Sequence, residues 1–65
     1  MINLKDLYDV NQLLKRFGTI IYVGDKKAEL DLIEDELKAL FQNQLITKDQ
    51  YLKGLMIINK EKNRL

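Results

Sequence analysis

The stretch from Asp25 to Gln44 constrains this chain most, because it has the pattern of one long amphipathic helix. On a wheel of about 100° per residue, its apolar side chains and one terminal amide form a continuous stripe: Leu30, Ile33, Leu37, Leu40, Phe41 and Gln44. Asp25 precedes this helix at the N-cap position, where its carboxylate can accept a bond from a first-turn N–H group. A helix with a single apolar stripe gains most of its stability from packing, so the stretch predicts neighbouring helices that cover it.

Two further helices are predicted on either side of the central one. The first spans about residues 4–17, with Asn3 as its N-cap and Gly18 ending it in the left-handed conformation. The third spans about residues 48–62 and begins with a capping box formed by Thr47 and Gln50. Its predicted buried stripe consists of Tyr51, Leu52, Leu55 and Ile58. The glycine beside that stripe, Gly54, indicates a close approach to a neighbouring backbone.

The segment between the first two helices has a different character. Residues 19–23 read TIIYV, and five β-branched or aromatic residues in a row favour an extended chain between Gly18 and Gly24. Two interpretations follow. The segment is either a connector that packs alternate side chains over the core, or an exposed edge that contacts a ligand or a second molecule. The fold class predicted is therefore all-α: one domain over residues 1–65, a small three-helix bundle with a short extended connector at 18–24.

The residue types that are missing argue against catalysis. The sequence contains no His, Cys or Ser, which removes the usual general base, the usual nucleophiles and the commonest transition-metal ligand. Asp31 and Asp35 lie one helical turn apart, but the Asp/Asn/Gly pattern of a calcium loop does not surround them. We therefore expect no enzyme activity, no cofactor, no metal site and no small-molecule substrate. The sequence also lacks a signal peptide and an apolar run of about 20 residues, so we expect a cytoplasmic protein without membrane contact.

Charge is unevenly distributed although the net charge is only +1. On the third helix, Lys53, Lys60 and Arg64 lie within about 40° of one another and form a basic stripe. Such a stripe is typical either of a face that follows a phosphate backbone or of an ordinary solvated surface. Three further cations lie on either side of Tyr22 in the sequence, namely Arg16, Lys26 and Lys27. The ring of Tyr22 could stack on a base between them or belong to the core.

Two apolar residues fall outside the predicted buried stripes. Leu32 lies on the far side of the central helix, and Ile57 lies opposite the stripe of the third helix. In a short chain with a small core, such residues indicate an association surface, so a homo-oligomer is a second hypothesis.

The junction between the first two helices carries a specific resemblance. Over residues 9–46 the chain resembles the YqgQ-like family of short proteins from Gram-positive bacteria, whose GT-x-IY-x-GD junction is matched by Gly18, Thr19, Ile21, Tyr22, Gly24 and Asp25. The resemblance implies a three-helix fold, and single-stranded nucleic-acid binding has been proposed for the family. More loosely, residues 33–58 are similar to two-helix SHOCT-type interaction modules.

These observations lead to two functional hypotheses of different classes. The first is a binding protein that contacts single-stranded DNA or RNA without sequence specificity. The alternative is a protein-interaction or oligomerisation module with no nucleic-acid or catalytic role. A DNA-reading helix-turn-helix fits less well, because its second helix would place Asp49 near the bases.

Overall fold

Three α-helices build the protein in a computed structural model that describes residues 3–65. Helix α1 spans Leu7–Arg16, α2 spans Lys26–Gln42 and α3 spans Lys48–Lys62. No strand occurs between residues 3 and 65. The helices share one core, formed by ten buried side chains: Leu4, Val10, Leu13, Leu14, Leu30, Ile33, Leu37, Leu40, Ile46 and Ile58. The predicted all-α bundle is confirmed.

Helix α1 begins three residues later than predicted. The carboxylate of Asp6 accepts a bond from the Asp9 N–H group at 3.0 Å, which makes Asp6 the N-cap. Asp9 in turn accepts a bond from the Lys5 N–H group at 3.0 Å. The prediction of Asn3 as the cap was wrong, because Leu4 enters the core from a non-helical segment and Asp6, predicted at the third helical position, caps the helix instead.

The end of α1 and both ends of α2 are set by local backbone and capping interactions. The N–H groups of Gly18 and Thr19 donate to Lys15 and Leu14, the paired bonds of a Schellman motif with Gly18 at φ 83°. The carboxylate of Asp25 caps α2 by accepting from the Ala28 N–H group at 3.3 Å, as predicted. Helix α2 ends at Gln42 rather than at Gln44, since Gln44 adopts the left-handed conformation that reverses the chain.

Helix α3 has the predicted start but a different buried face. The Gln50 N–H group donates to the Thr47 hydroxyl at 3.0 Å and the Gln50 side chain accepts from the Thr47 N–H group at 2.9 Å, which confirms the capping box. Ile58 is buried as predicted, but Leu52, predicted to be buried, is exposed, and Gly54 faces the core in its place. A β-carbon placed on Gly54 would lie 2.7 Å from Leu37 Cδ1, so the close neighbour is a side chain and not the predicted backbone.

Contacts along α2 and α3 show that these two helices are antiparallel. The ring of Phe41 stacks on Tyr51 with centroids 4.6 Å apart, and Leu37 meets Gly54 one turn farther along. Helix α1 ends near the turn between α2 and α3. This is seen in a groove whose lining includes Arg16 and Phe17 from the end of α1 and Leu45 from the turn. The connector therefore leaves the turn end of the bundle and returns to the opposite end, where α2 begins.

Candidate functional site

The connector exposes its largest side chains to solvent. Tyr22 is 83% exposed and Ile20 is 78% exposed, while Thr19 and Ile21 are half-buried against the bundle. A connector packed on the core was predicted to turn alternate side chains inward. Residues 19–22 do alternate between half-buried and exposed, but Val23, the next residue expected to face inward, is exposed. Tyr22 is thus not a core residue. The core or staple role considered for its ring is wrong.

Cations lie at both ends of this exposed segment. Arg16 belongs to the last turn of α1, and Lys26 and Lys27 form the first turn of α2. None of the three forms an ion pair with another residue of the range 3–65. Lysines at a helix N-terminus oppose the helix dipole, so helix formation does not account for Lys26 and Lys27. We call Arg16, Ile20, Tyr22, Lys26 and Lys27 the connector track.

The connector runs back along part of α2. At its start, the Thr19 hydroxyl donates to Glu36 Oε1 at 3.1 Å. The ten residues from Glu36 back to Lys26 correspond to about 15 Å of helix, and the connector covers this distance. The bond from Thr19 holds the connector against α2.

A shallow groove of about 270 Å³ lies between α1 and the connector. Its walls combine the apolar side chains of Ile20 and Ile21 with polar groups of Asn11, Gln12 and Lys15. Sequence reasoning did not identify these polar residues as site candidates. Their proximity to the connector depends on the chain returning past α1, which no local pattern indicates.

The basic stripe of α3 is separate from the connector track. Lys53, Lys60 and Arg64 lie roughly 140–180° around α3 from Tyr51 and Lys62, which face α2, so the stripe points away from α2. The connector contacts the other side of α2 through Glu36. The structure therefore does not bring the two predicted basic groups together.

Two cations of the α3 stripe already have acidic neighbours on their own helix. Lys53 lies 3.3 Å from the Asp49 carboxylate, and Arg64 lies 3.2 Å from Glu61. Lys60 forms no ion pair with any residue between 3 and 65. A phosphate on this stripe would compete with these carboxylates.

The two predicted interface residues have different environments. Leu32 is 44% exposed on the outer side of α2, as expected from the wheel. Ile57 is half-buried and packs against the core, so the premise that it points away from the bundle was wrong. The small Gly54 on the same side of α3 admits a close neighbour, which brings Ile57 into contact with the core.

An ion cluster that the sequence did not indicate joins the two long helices. Lys62 Nζ lies 2.8 Å from Asp31 and 2.7 Å from Glu34. The hydrogen bonds of Asp31 and Glu34 raise the pKa of Lys62 above its ordinary range, and the bond from Lys62 lowers the pKa of Asp31. The three groups are partly exposed and each is engaged in an ion pair, so the cluster orients the helices rather than offering a reactive site.

Within residues 3–65, no three acidic side chains come close enough together to hold a metal ion. None of the helices in that range combines the length and the apolar character needed to cross a membrane.

Comparison with known proteins gives the same family as the sequence of the helix junction. A family model described as YqgQ-like matches residues 4–64. A relative from Bacillus subtilis (strain 168), named Uncharacterized protein YqgQ, is 43% identical over 58 residues. The match covers 89% of this chain and 82% of the relative.

Proposed function

The chain belongs to the YqgQ-like family, and from that premise we propose that it is a binding protein that contacts single-stranded nucleic acid through the connector track. The proposal assigns it no catalytic role. The contact is independent of base sequence, because the track offers cations and an aromatic ring but few groups that could read base edges.

The observation that carries this proposal is the exposure of Tyr22 between unpaired cations. A tyrosine buries a large apolar ring when it serves the fold, and this one leaves 83% of its surface in water. Bases of every type have a π-face, so an exposed ring stacks on a single strand without selecting a sequence. Arg16 at one end and Lys26 and Lys27 at the other would neutralise phosphates on either side of the stacked base.

Salt dependence provides the first test. Three phosphate contacts give an expected log–log slope of about −2, since each neutralised phosphate of a single strand contributes about −0.7. The measurement is fluorescence anisotropy with a labelled oligothymidine and a labelled oligouridine at several salt concentrations. Wild-type protein without salt-dependent binding at low ionic strength would contradict the proposal.

Substitution of Tyr22 separates stacking from simple charge attraction. Tyr22→Ala should weaken binding by about 1–3 kcal/mol, roughly 5- to 150-fold, without changing the melting temperature. The matched control is Tyr8→Ala, because Tyr8 is also an exposed tyrosine (68%) but lies on α1 outside the track. Equal effects of the two substitutions on affinity would show that Tyr22 has no specific role.

Charge reversals distinguish the track from the α3 stripe. Lys26→Glu with Lys27→Glu should abolish most of the salt-dependent affinity, whereas Lys53→Glu should have little effect. The opposite result would transfer the site to α3.

A second candidate function is the protein-interaction or oligomerisation module. The observation that favours it is the exposure of Leu52 and Met56 on α3, together with that of Leu32 on α2. These side chains are not part of the core.

A further inference from the structure

The outer sides of α2 and α3 carry two matching rows of residues. On α2 the row is Ala28, Leu32, Asp35 and Ala39, and on α3 it is Leu52, Met56, Asn59 and Asn63, the last just past the helix end. Both rows advance by four, three and four residues. This spacing keeps a row on one side of a helix and is typical of helices that pack along a shared seam. We call the two rows together the outer face.

The ion cluster places both rows on the same side of the molecule. Around α2 the row begins about 40° beyond Asp31, and around α3 the other row begins about 60° beyond Lys62. Asp31 and Lys62 are in contact at 2.8 Å, so they lie between the two rows. The connector contacts α2 at Glu36, one turn beyond Leu32 and about 40° farther around the helix. The outer face therefore extends across both helices from the ion cluster and borders the connector at Leu32.

The apolar side chains of the outer face are exposed. Leu52 is 47% exposed and Met56 is 71% exposed on α3, and Leu32 is exposed on α2. A core of ten residues leaves this chain with little apolar area to spare for water. A surface with this composition gains free energy when another helical layer covers it.

The register of the two helices makes this face complementary to itself. Because α2 and α3 are antiparallel and Leu37 lies opposite Gly54, Ala39 lies level with Leu52. By the same register, Leu32 lies level with Asn59, and Ala28 lies level with Asn63. A two-fold axis parallel to the helices would place α2 of one copy on α3 of the other at unchanged levels. A large side chain of one copy then faces a smaller one of its partner at Leu52–Ala39 and at Leu32–Asn59.

Charge complementarity supports the same arrangement. Residues 28–47 contain five acidic residues and one lysine, whereas α3 contains four lysines and two acidic residues. Asp35 in the α2 row and Lys60 beside the α3 row each lack an ion-pair partner within residues 3–65. Met56 lies level with Asp35, and Lys60 follows Met56 by one helical turn. In the two-fold arrangement Lys60 of each copy lies about 6 Å along the helix axis from the level of Asp35 of the other, a distance that a lysine side chain can span.

We propose that the outer face binds a second copy of this chain, with α2 of each protomer packed on α3 of the other. The inference develops the second candidate function and is independent of nucleic-acid binding. It commits the interface to two equivalent contacts, each containing one Asp35–Lys60 pair.

Charge exchange tests this geometry on the full chain. Wild-type protein should change from monomer to dimer in sedimentation velocity runs between low and high micromolar concentration. Asp35→Lys places lysine against lysine at both contacts, and Lys60→Glu places acid against acid at both. Each variant alone should dimerise about tenfold more weakly or worse.

An equimolar mixture of the two variants should recover the dimer. In the mixed pair, the introduced lysine of one protomer meets the introduced glutamate of the other, and the second contact keeps its native Asp35–Lys60 pair. Both contacts are then attractive, and the mixed species should approach the wild-type affinity. A different interface has no reason to show this rescue.

Several results would overturn the inference. A wild type that stays monomeric at high micromolar concentration excludes the dimer. Recovery no better in the mixture than in either variant alone excludes the proposed contacts. The matched control is Lys5→Glu, an exposed lysine outside the outer face, which should dimerise as the wild type does. Helical circular dichroism of every variant verifies that loss of the dimer is not loss of the fold, and an unaffected dimer in Tyr22→Ala separates this surface from the connector track.

Discussion

Gln44 holds a backbone conformation that suits glycine, and replacing it should stabilise the protein. Its φ of 61° lies in the left-handed region, where a β-carbon crowds the following carbonyl oxygen. The N–H groups of Gln44 and Leu45 donate to Phe41 and Leu40 at 3.0 and 2.9 Å, the paired bonds that end α2. The same motif ends α1, where glycine occupies the corresponding position. Gln44→Gly should therefore remove strain without losing a backbone bond.

The expected gain follows from two opposing contributions. Relief of the left-handed conformation contributes about 1–2 kcal/mol. Greater freedom of glycine in the unfolded chain costs about 0.4–1 kcal/mol. The Gln44 side chain is exposed and makes no hydrogen bond to another residue of the described range, so nothing else is lost. The net gain is about 0.5–1 kcal/mol, which should raise the melting temperature by roughly 2–8 °C in a domain of this size.

Thermal and urea unfolding, both followed by helical circular dichroism, measure this gain. The reciprocal substitution is Gly18→Ala, where the added β-carbon meets no atom within 4 Å and only the backbone conformation is tested. It should lower the free energy of unfolding by about 1 kcal/mol. Gln42→Gly, two residues earlier and inside α2, should also destabilise by about 1 kcal/mol. If Gln44→Gly melts at or below the wild-type temperature while Gly18→Ala destabilises, the reasoning from backbone strain is refuted.

Three further substitutions test the contacts of α2 and α3. Thr47→Ala should cost about 1 kcal/mol by removing the N-cap hydroxyl, and an unchanged melting temperature would mean that the capping box contributes nothing. Gly54→Val should cost about 1–3 kcal/mol in urea unfolding, because its side chain would overlap buried Leu37; a neutral result would show that the packing there is loose. The ion cluster should make stability depend on pH at both extremes. Because the pKa of Asp31 is lowered in the folded protein, its ion pair stabilises the fold above the ordinary carboxylate pKa, and this stabilisation is lost as acid protonates Asp31. Because the pKa of Lys62 is raised, the stabilisation from its positive charge is lost only in strong alkali. Melting temperatures should therefore be level between about pH 5 and 9, and Lys62→Met should reduce the drop in acid; a wild-type profile in that variant would contradict the sign.

Much of the fold could be predicted because its signals act over a few residues. Asp25, Gly18 and the Thr47–Gln50 pair each satisfy backbone groups within one helical turn, so their roles depend on neighbours along the chain. The central stripe of α2 was also predicted, since a long amphipathic helix has one apolar side and no ambiguity about which side faces inward. The exposed Tyr22 was identified as a candidate, although the sequence left its burial open.

The candidate surfaces depended on arrangements between distant residues. Helix α3 carries apolar residues on more than one side, and local periodicity placed Ile58 correctly but could not decide that Gly54 faces the core while Leu52 faces water. The contact of Leu37 with Gly54 decided it, because that close approach sets both the rotation of α3 and its register against α2. The sequence by itself determined where α1 ends and where α2 and α3 begin, since the backbone groups at those ends are satisfied locally. Only the tertiary structure decided which outer residues share a face, because that depends on how one helix rotates and slides against another.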